Sequence, residues 1–133
     1  MASKLTVSVI GLFLIGIVLF SSCSQKTSLA ERGFVHAVYF YLEQDLSGEQ
    51  IAFFEEGMKK LAQAPSISKT IYGPPAMTPR KLVDNTYDYA FIVFFENKAA
   101  HDAYQVHPLH DQFRKEIEGI VKDVKIYDSI YGK

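Results

Sequence analysis

The chain has a single cysteine, Cys23, so no disulfide can close within it. It has no tryptophan. It also lacks a basic stripe: its largest cationic groupings are the pairs Lys59-Lys60 and Arg80-Lys81, and its net charge is −1. A surface that reads a phosphate backbone needs clustered Lys and Arg, so no nucleic-acid partner is expected. No HExxH, nucleophile elbow, glycine-rich phosphate loop or dinucleotide fingerprint occurs, and no cofactor is expected. What the chain does have is aromatic carbon, with ten Phe and eight Tyr in 133 residues, a length that suits one domain.

The first residues differ in character from the rest. Lys4 precedes an apolar run over residues 5–20, relieved only by Thr6, Ser8 and two glycines, and Ser21-Ser22-Cys23 follow. A positive start, an apolar stretch and a small-residue site together read as a secretory signal over residues 1–22. The run is shorter than the ~20 residues that a spanning helix prefers. "FSSC" resembles a bacterial lipobox, although Phe20 stands where leucine is usual. The resemblance implies lipidation of Cys23, a polar tether over residues 23–32, and a lipid-held place in the cell envelope. Ser24, a residue other than Asp, fits the outer membrane or periplasmic face of a Gram-negative bacterium. An ordinary signal or an uncleaved anchor is the other reading of the same residues.

From residue 33 onward the pattern is globular. "GFVHAVYFYL" alternates Phe34, His36, Val38, Phe40 and Leu42 with Val35, Ala37, Tyr39 and Tyr41, a strand with two apolar faces. Ser47 with Gln50 three residues on forms a capping box, and Ile51, Phe54, Met58 and Leu61 make a helical stripe that Pro65 closes. "SISKTIYG" is a shorter strand pegged by Ile67 and Ile71. A loop with three prolines leads to "TYDYAFIVFFEN", in which Tyr87, Tyr89, Phe91, Val93 and Phe95 share one face. Asn97 caps a short helix, and Pro108 suits the first position of the next, with His107 as the cap between them. Leu109, Phe113 and Ile117 form the stripe of that second helix. A last strand brings Val124 and Ile126 inward, the domain ending at 128 and a tail occupying 129–133.

The order is β-α-β-β-α-β, an α+β ferredoxin-like domain with a four-stranded antiparallel sheet and helices on one face. The other face carries alternate aromatics and has no partner within the chain. An apolar patch of that size needs a cover, and a second copy packed sheet to sheet supplies it. A homodimer forming an α/β barrel is the expectation.

"FVHAVYFYL", "YDYAFIVFFEN" and "AAHDAYQVHPLHDQF" resemble the stress-responsive dimeric α/β-barrel family, Dabb, over residues 33–128. One plant member of that family is a polyketide cyclase. The resemblance places the role of its base on His110, that of its substrate-positioning tyrosine on Tyr104, and that of an assisting histidine on His36. Where that enzyme has a further histidine on the third strand, this chain has Asp88-Tyr89. The cyclase reaction is therefore not carried over.

Two readings of function stay open. In the first, an apolar cleft between sheet and helices binds a small apolar or aromatic molecule. His110, Tyr104 and His36 are then its polar groups, Tyr89 offers a further hydroxyl, and any reaction is a proton transfer next to a carbonyl. In the second, the domain is a non-catalytic dimerising module of an envelope complex, and the histidines are structural. His101 falls on the polar side of its helix and is expected to be solvated. His107 and His110 have the separation of some metal-ligand pairs, but Pro108 between them spoils the register, and with no second Cys, no HExxH and no tight acidic cluster no metal is expected in the chain.

Overall fold

The computed structural model describes residues 32–132, so the signal, most of the tether and Cys23 lie outside the described residues. Seven elements follow in order: β1 (Gly33–Leu42), α1 (Gly48–Leu61), β2 (Lys69–Gly73), β3 (Tyr89–Phe95), α2 (Lys98–Gln105), α3 (Pro108–Glu116) and β4 (Val121–Tyr131). The strands form one antiparallel sheet in the order β2-β3-β1-β4, the ferredoxin-like arrangement.

β1 sets the faces. Its alternation buries Phe34, His36, Val38 and Phe40 under the helices, and its pairing carries that choice to both neighbours. His36 lies opposite Val93 of β3 and Asp128 of β4, and Val38 lies opposite Phe91 and Ile126. Residues opposite one another share a face, so the helix side of the sheet is fixed by one strand's pattern.

The helices start where the side chains dictate. The Ser47 hydroxyl accepts from Gln50 N at 3.2 Å while Ser47 N donates to Gln50 Oε1 at 2.9 Å, the reciprocal box expected at the start of α1. α1 ends at Leu61, several residues before Pro65. Asn97 Oδ1 accepts from Ala100 N at 3.0 Å to start α2. His107 has extended backbone, and its Nδ1 accepts from Leu109 N at 3.2 Å, with Pro108 at the first helical position.

The core is aromatic. Phe54 of α1 is fully buried, with ring centroids 5.3 Å from Phe40, 5.3 Å from Tyr89 and 6.1 Å from Phe113. The first two pairs meet edge to face, a contact that adds about 0.5–1.5 kcal/mol per pair beyond burial. Gly57 lets α1 and α3 close: a Cβ there would stand 3.1 Å from Phe113 Cδ2. A second glycine, Gly33, sits beneath the ring of its cross-strand partner Tyr131, which covers the gap that a strand glycine leaves.

Several details depart from the sequence pattern. β4 continues through Tyr131, because Ser129, Ile130 and Tyr131 pair with Val35, Phe34 and Gly33; residues 129–131 are strand and not tail. Ile67 packs on the core just before β2, whereas Ile71 pairs with Ile92 on the open face and is exposed. Tyr87 precedes β3, where no ladder enforces alternation, and packs on Tyr39 of the open face at 4.9 Å. Val124 and Ile126 do face the helix side, yet they are 40% and 51% exposed. The helices pack on β1 and β3 and leave the helix-side residues of β4 exposed. That gap makes room for a site.

Candidate functional site

A cleft of about 400 Å³ opens between β1, β4 and the α2–α3 joint. Its apolar wall includes Val38, Phe40, Phe91, Phe113, Val124 and Ile126. Its polar groups are His36, Tyr104, Gln105, His110 and Arg114. A few polar groups set in an apolar concavity of this size is the usual build of a small-molecule site.

Three of the residues singled out from the sequence meet here. Tyr104, at the last turn of α2, is 2% exposed, with its ring 4.8 Å from that of His110 and 6.2 Å from that of His36. The sharp α2–α3 joint causes this. Because His107 caps and Pro108 restarts the chain, His110 lies one turn into α3 and faces back toward Tyr104.

The electrostatics of the site are those of burial. Burial pushes the His110 imidazole below its ordinary range; the Arg114 cation adds to this, and a backbone hydrogen bond with Gln105 opposes it. His110 is therefore a neutral imidazole at neutral pH. Its Nδ1 is buried and has no hydrogen-bond partner among the described residues. A buried nitrogen without a partner costs about 1–3 kcal/mol. Burial also raises the Tyr104 phenol well above its ordinary value, so it stays protonated as a donor.

Tyr89 is not brought to this group. It lines a separate hollow with Met58 and Tyr72, and its hydroxyl donates to Glu55 Oε1 at 2.6 Å. Burial, with the Glu55 bond second, pushes that phenol up to about 12. The hydroxyl is already engaged by α1, and Tyr89 is not among the residues that line the cleft. Cys23 lies outside the described residues.

His101 corrects the sequence reading more sharply. It is 8% exposed, not solvated, and stacks on Phe34 at 4.3 Å with Phe95 at its edge. α2 is only eight residues long, and the face it turns to the sheet is set by Tyr104, three residues on. His101 shares that face and goes in with it. Burial lowers its protonation, partly countered by the Asp102 carboxylate at 3.3 Å.

Sequence reasoning also missed Asp128, Gln105 and Arg114. Asp128 Oδ1 lies 2.7 Å from His36 Nδ1, a bond made across the β1–β4 ladder. The signal for it was the register of β4, which becomes readable only once that strand is known to continue past 128.

The two depressed histidines make a pH prediction. Each is held neutral in the fold and titrates normally when unfolded, near pH ~6.5. Their stabilisation is complete above that value and is lost as pH falls through the lower folded values. Urea unfolding measured from about pH 7 to about pH 5, above the ordinary carboxylate range, should show falling stability. His110→Gln should flatten that decline, and an unchanged profile in the variant would refute the assignment.

Comparisons with known proteins agree with this fold. A dimeric ferredoxin-like protein of unknown function from Thermobifida fusca is 20% identical, with a TM-score of 0.64 over 78% of this chain and 95% of its own. A Dabb family protein with a ferredoxin-like fold from Mesorhizobium loti is 23% identical, with a TM-score of 0.61 over 77% and 99%. The hydroxynitrile lyase of Passiflora edulis is 19% identical, with a TM-score of 0.65 over 77% and 96%. At these identities the likeness extends to the fold alone. No curated protein sequence matches the chain. No helix among the described residues is long and apolar enough to cross a membrane. The model of the stress responsive A/B barrel domain matches residues 34–131, most of the chain and the whole of the sheet-and-helix unit that holds the cleft, and the protein belongs to the Dabb family.

Proposed function

We propose that the domain is a homodimeric, envelope-anchored binder of a small apolar or aromatic molecule, held in the cleft between sheet and helices. The observation that carries this is the cleft itself: about 400 Å³ beside a neutral His110 whose Nδ1 has no partner among the described residues. The competing reading, a non-catalytic dimerising module with structural histidines, calls for a filled space between His36 and His110. The open cleft weighs against it.

The ligand's chemistry follows from the lining. Phe40, Phe91 and Phe113 favour an aromatic or alkyl body. His110 as acceptor and Tyr104 as donor favour a hydroxyl or carbonyl at its inner end. A carbonyl compound bound this way would have its acidic C–H or O–H group near the neutral His110 imidazole, the arrangement for proton transfer next to a carbonyl. The Passiflora lyase uses the same fold, but its reaction is not assigned to this chain.

His110→Ala should weaken binding of alkyl-substituted phenols by about tenfold, the equivalent of one hydrogen bond of ~1.4 kcal/mol. Ligand-observed NMR with a panel of such phenols checks this. Equal affinity of variant and parent for every phenol the parent binds would contradict the proposal.

The dimer rests on the open face of the sheet. Tyr39, Ile92, Phe94 and Tyr127 present an apolar, aromatic surface there, and relatives of this fold are dimeric. Ile92→Asp should shift sedimentation from dimer to monomer, because it would bury an unpaired carboxylate in the interface. A parent that sediments as a monomer would overturn this part.

The anchor rests on residues 1–23 of the sequence. Each methylene of an acyl chain on Cys23 would contribute ~0.8 kcal/mol to membrane attachment, so more than one chain would hold the protein firmly. Mass spectrometry of the protein from its native membrane should find an N-terminal, lipidated Cys23. An intact Met1 or an unmodified Cys23 would refute it.

A further inference from the structure

His36, His101 and Asp128 come from β1, α2 and β4, and one potential ligand atom from each lies within 4.8 Å of the other two. They are 65 and 27 residues apart in sequence and match no metal-ligand spacing. The two imidazoles are buried, with ring centroids 5.1 Å apart. Two histidines with one carboxylate are a donor set suited to divalent first-row transition metals. We propose that these three residues bind such a cation, of the zinc class, next to the Tyr104 end of the cleft.

The surroundings suit a cation. Phe34 stacks on one side of His101 and Phe95 stands at its edge, an apolar shell that limits water access. Asp102 lies 3.3 Å from His101 Nδ1, and the Gln105 amide lies 3.0 Å from Nε2. Whichever nitrogen takes the metal, the other keeps a polar neighbour to orient the ring. The hydrogen-bond partner of Asp128 among the described residues is His36.

The geometry also states what binding requires. Zn–N and Zn–O bonds are about 2.0–2.2 Å, which sets tetrahedral ligands about 3.3 Å apart. His36 Nδ1 and Asp128 Oδ1, at 2.7 Å, are closer than that, so their hydrogen bond would open as the metal enters. The Asp128 side chain is 46% exposed on an edge strand and has room to turn. Three protein ligands leave a position open, the pattern of sites that hold a water or a ligand oxygen rather than purely structural ones.

The site does not depend on what the cleft binds, because it can be tested with metal alone. The full chain in detergent, stripped with chelator and loaded with Zn²⁺, should retain one equivalent per subunit through gel filtration, by elemental analysis. Co²⁺ in its place should give visible d–d absorption. His101→Gln and Asp128→Asn should each lower Zn²⁺ affinity at least tenfold, and His107→Ala, away from the site, should not. Asp128 is exposed, so its variant keeps the test valid if His101→Gln fails to fold. No retained metal in the parent, or equal affinity in Asp128→Asn, would overturn the proposal. Phenol binding is measured separately, so either idea can fail without the other.

Discussion

The alternation of side chains along β1 is the constraint on which the rest depends. β1 is the strand that pairs with both β3 and β4, so its register decides which face of three strands meets the helices. With Phe34, Val38 and Phe40 committed to the core, His36 must go in with them. A slip of one residue would turn all four out and bring Tyr39 and Tyr41 under the helices. The cost of burying an imidazole is thus imposed by the hydrophobic pattern, and the Asp128 carboxylate opposite it offsets that cost.

The site arises where this packing is incomplete. α1 and α3 close tightly because Gly57 admits the Phe113 ring, and the helical layer packs on β1 and β3. β4 is left with Val124 and Ile126 facing helices that do not cover them. The sharp joint at His107 and Pro108 turns His110 and Tyr104 toward the same uncovered space. Apolar walls, a neutral imidazole and a protonated phenol follow from one geometric fact, a helical layer narrower than the sheet. A fully covered β4 would bury more apolar area and leave no cleft.

Much of this was legible in the sequence because it rests on local rules. Period-two alternation, the Ser47–Gln50 box and the His107-Pro108 joint depend on neighbours a few residues away, and each appears as read. His36, Tyr104 and His110 were found as a group through resemblance to the Dabb family, and the structure brings them together. The misses depend on distant partners. His101 was read as solvated because its helix is too short for its own pattern to define a face; Tyr104 and the sheet define it. Tyr89 sits on the expected face, but the position of Glu55 on α1 fixes where its hydroxyl goes. Tyr87 lies two residues outside the ladder, where alternation no longer holds. Asp128 needed the β1–β4 register, which no local signal carries.

The central claim is that the cleft beside His110 binds an apolar or aromatic small molecule. The most direct measurement is heteronuclear NMR of the labelled protein titrated with alkyl-substituted phenols. The account predicts saturable shifts confined to His36, Tyr104, His110, Val124 and Ile126, with the His110 imidazole nitrogens among the largest. Shifts that fall instead on Tyr39, Ile92 and Tyr127 of the open face, or none that saturate, would contradict it.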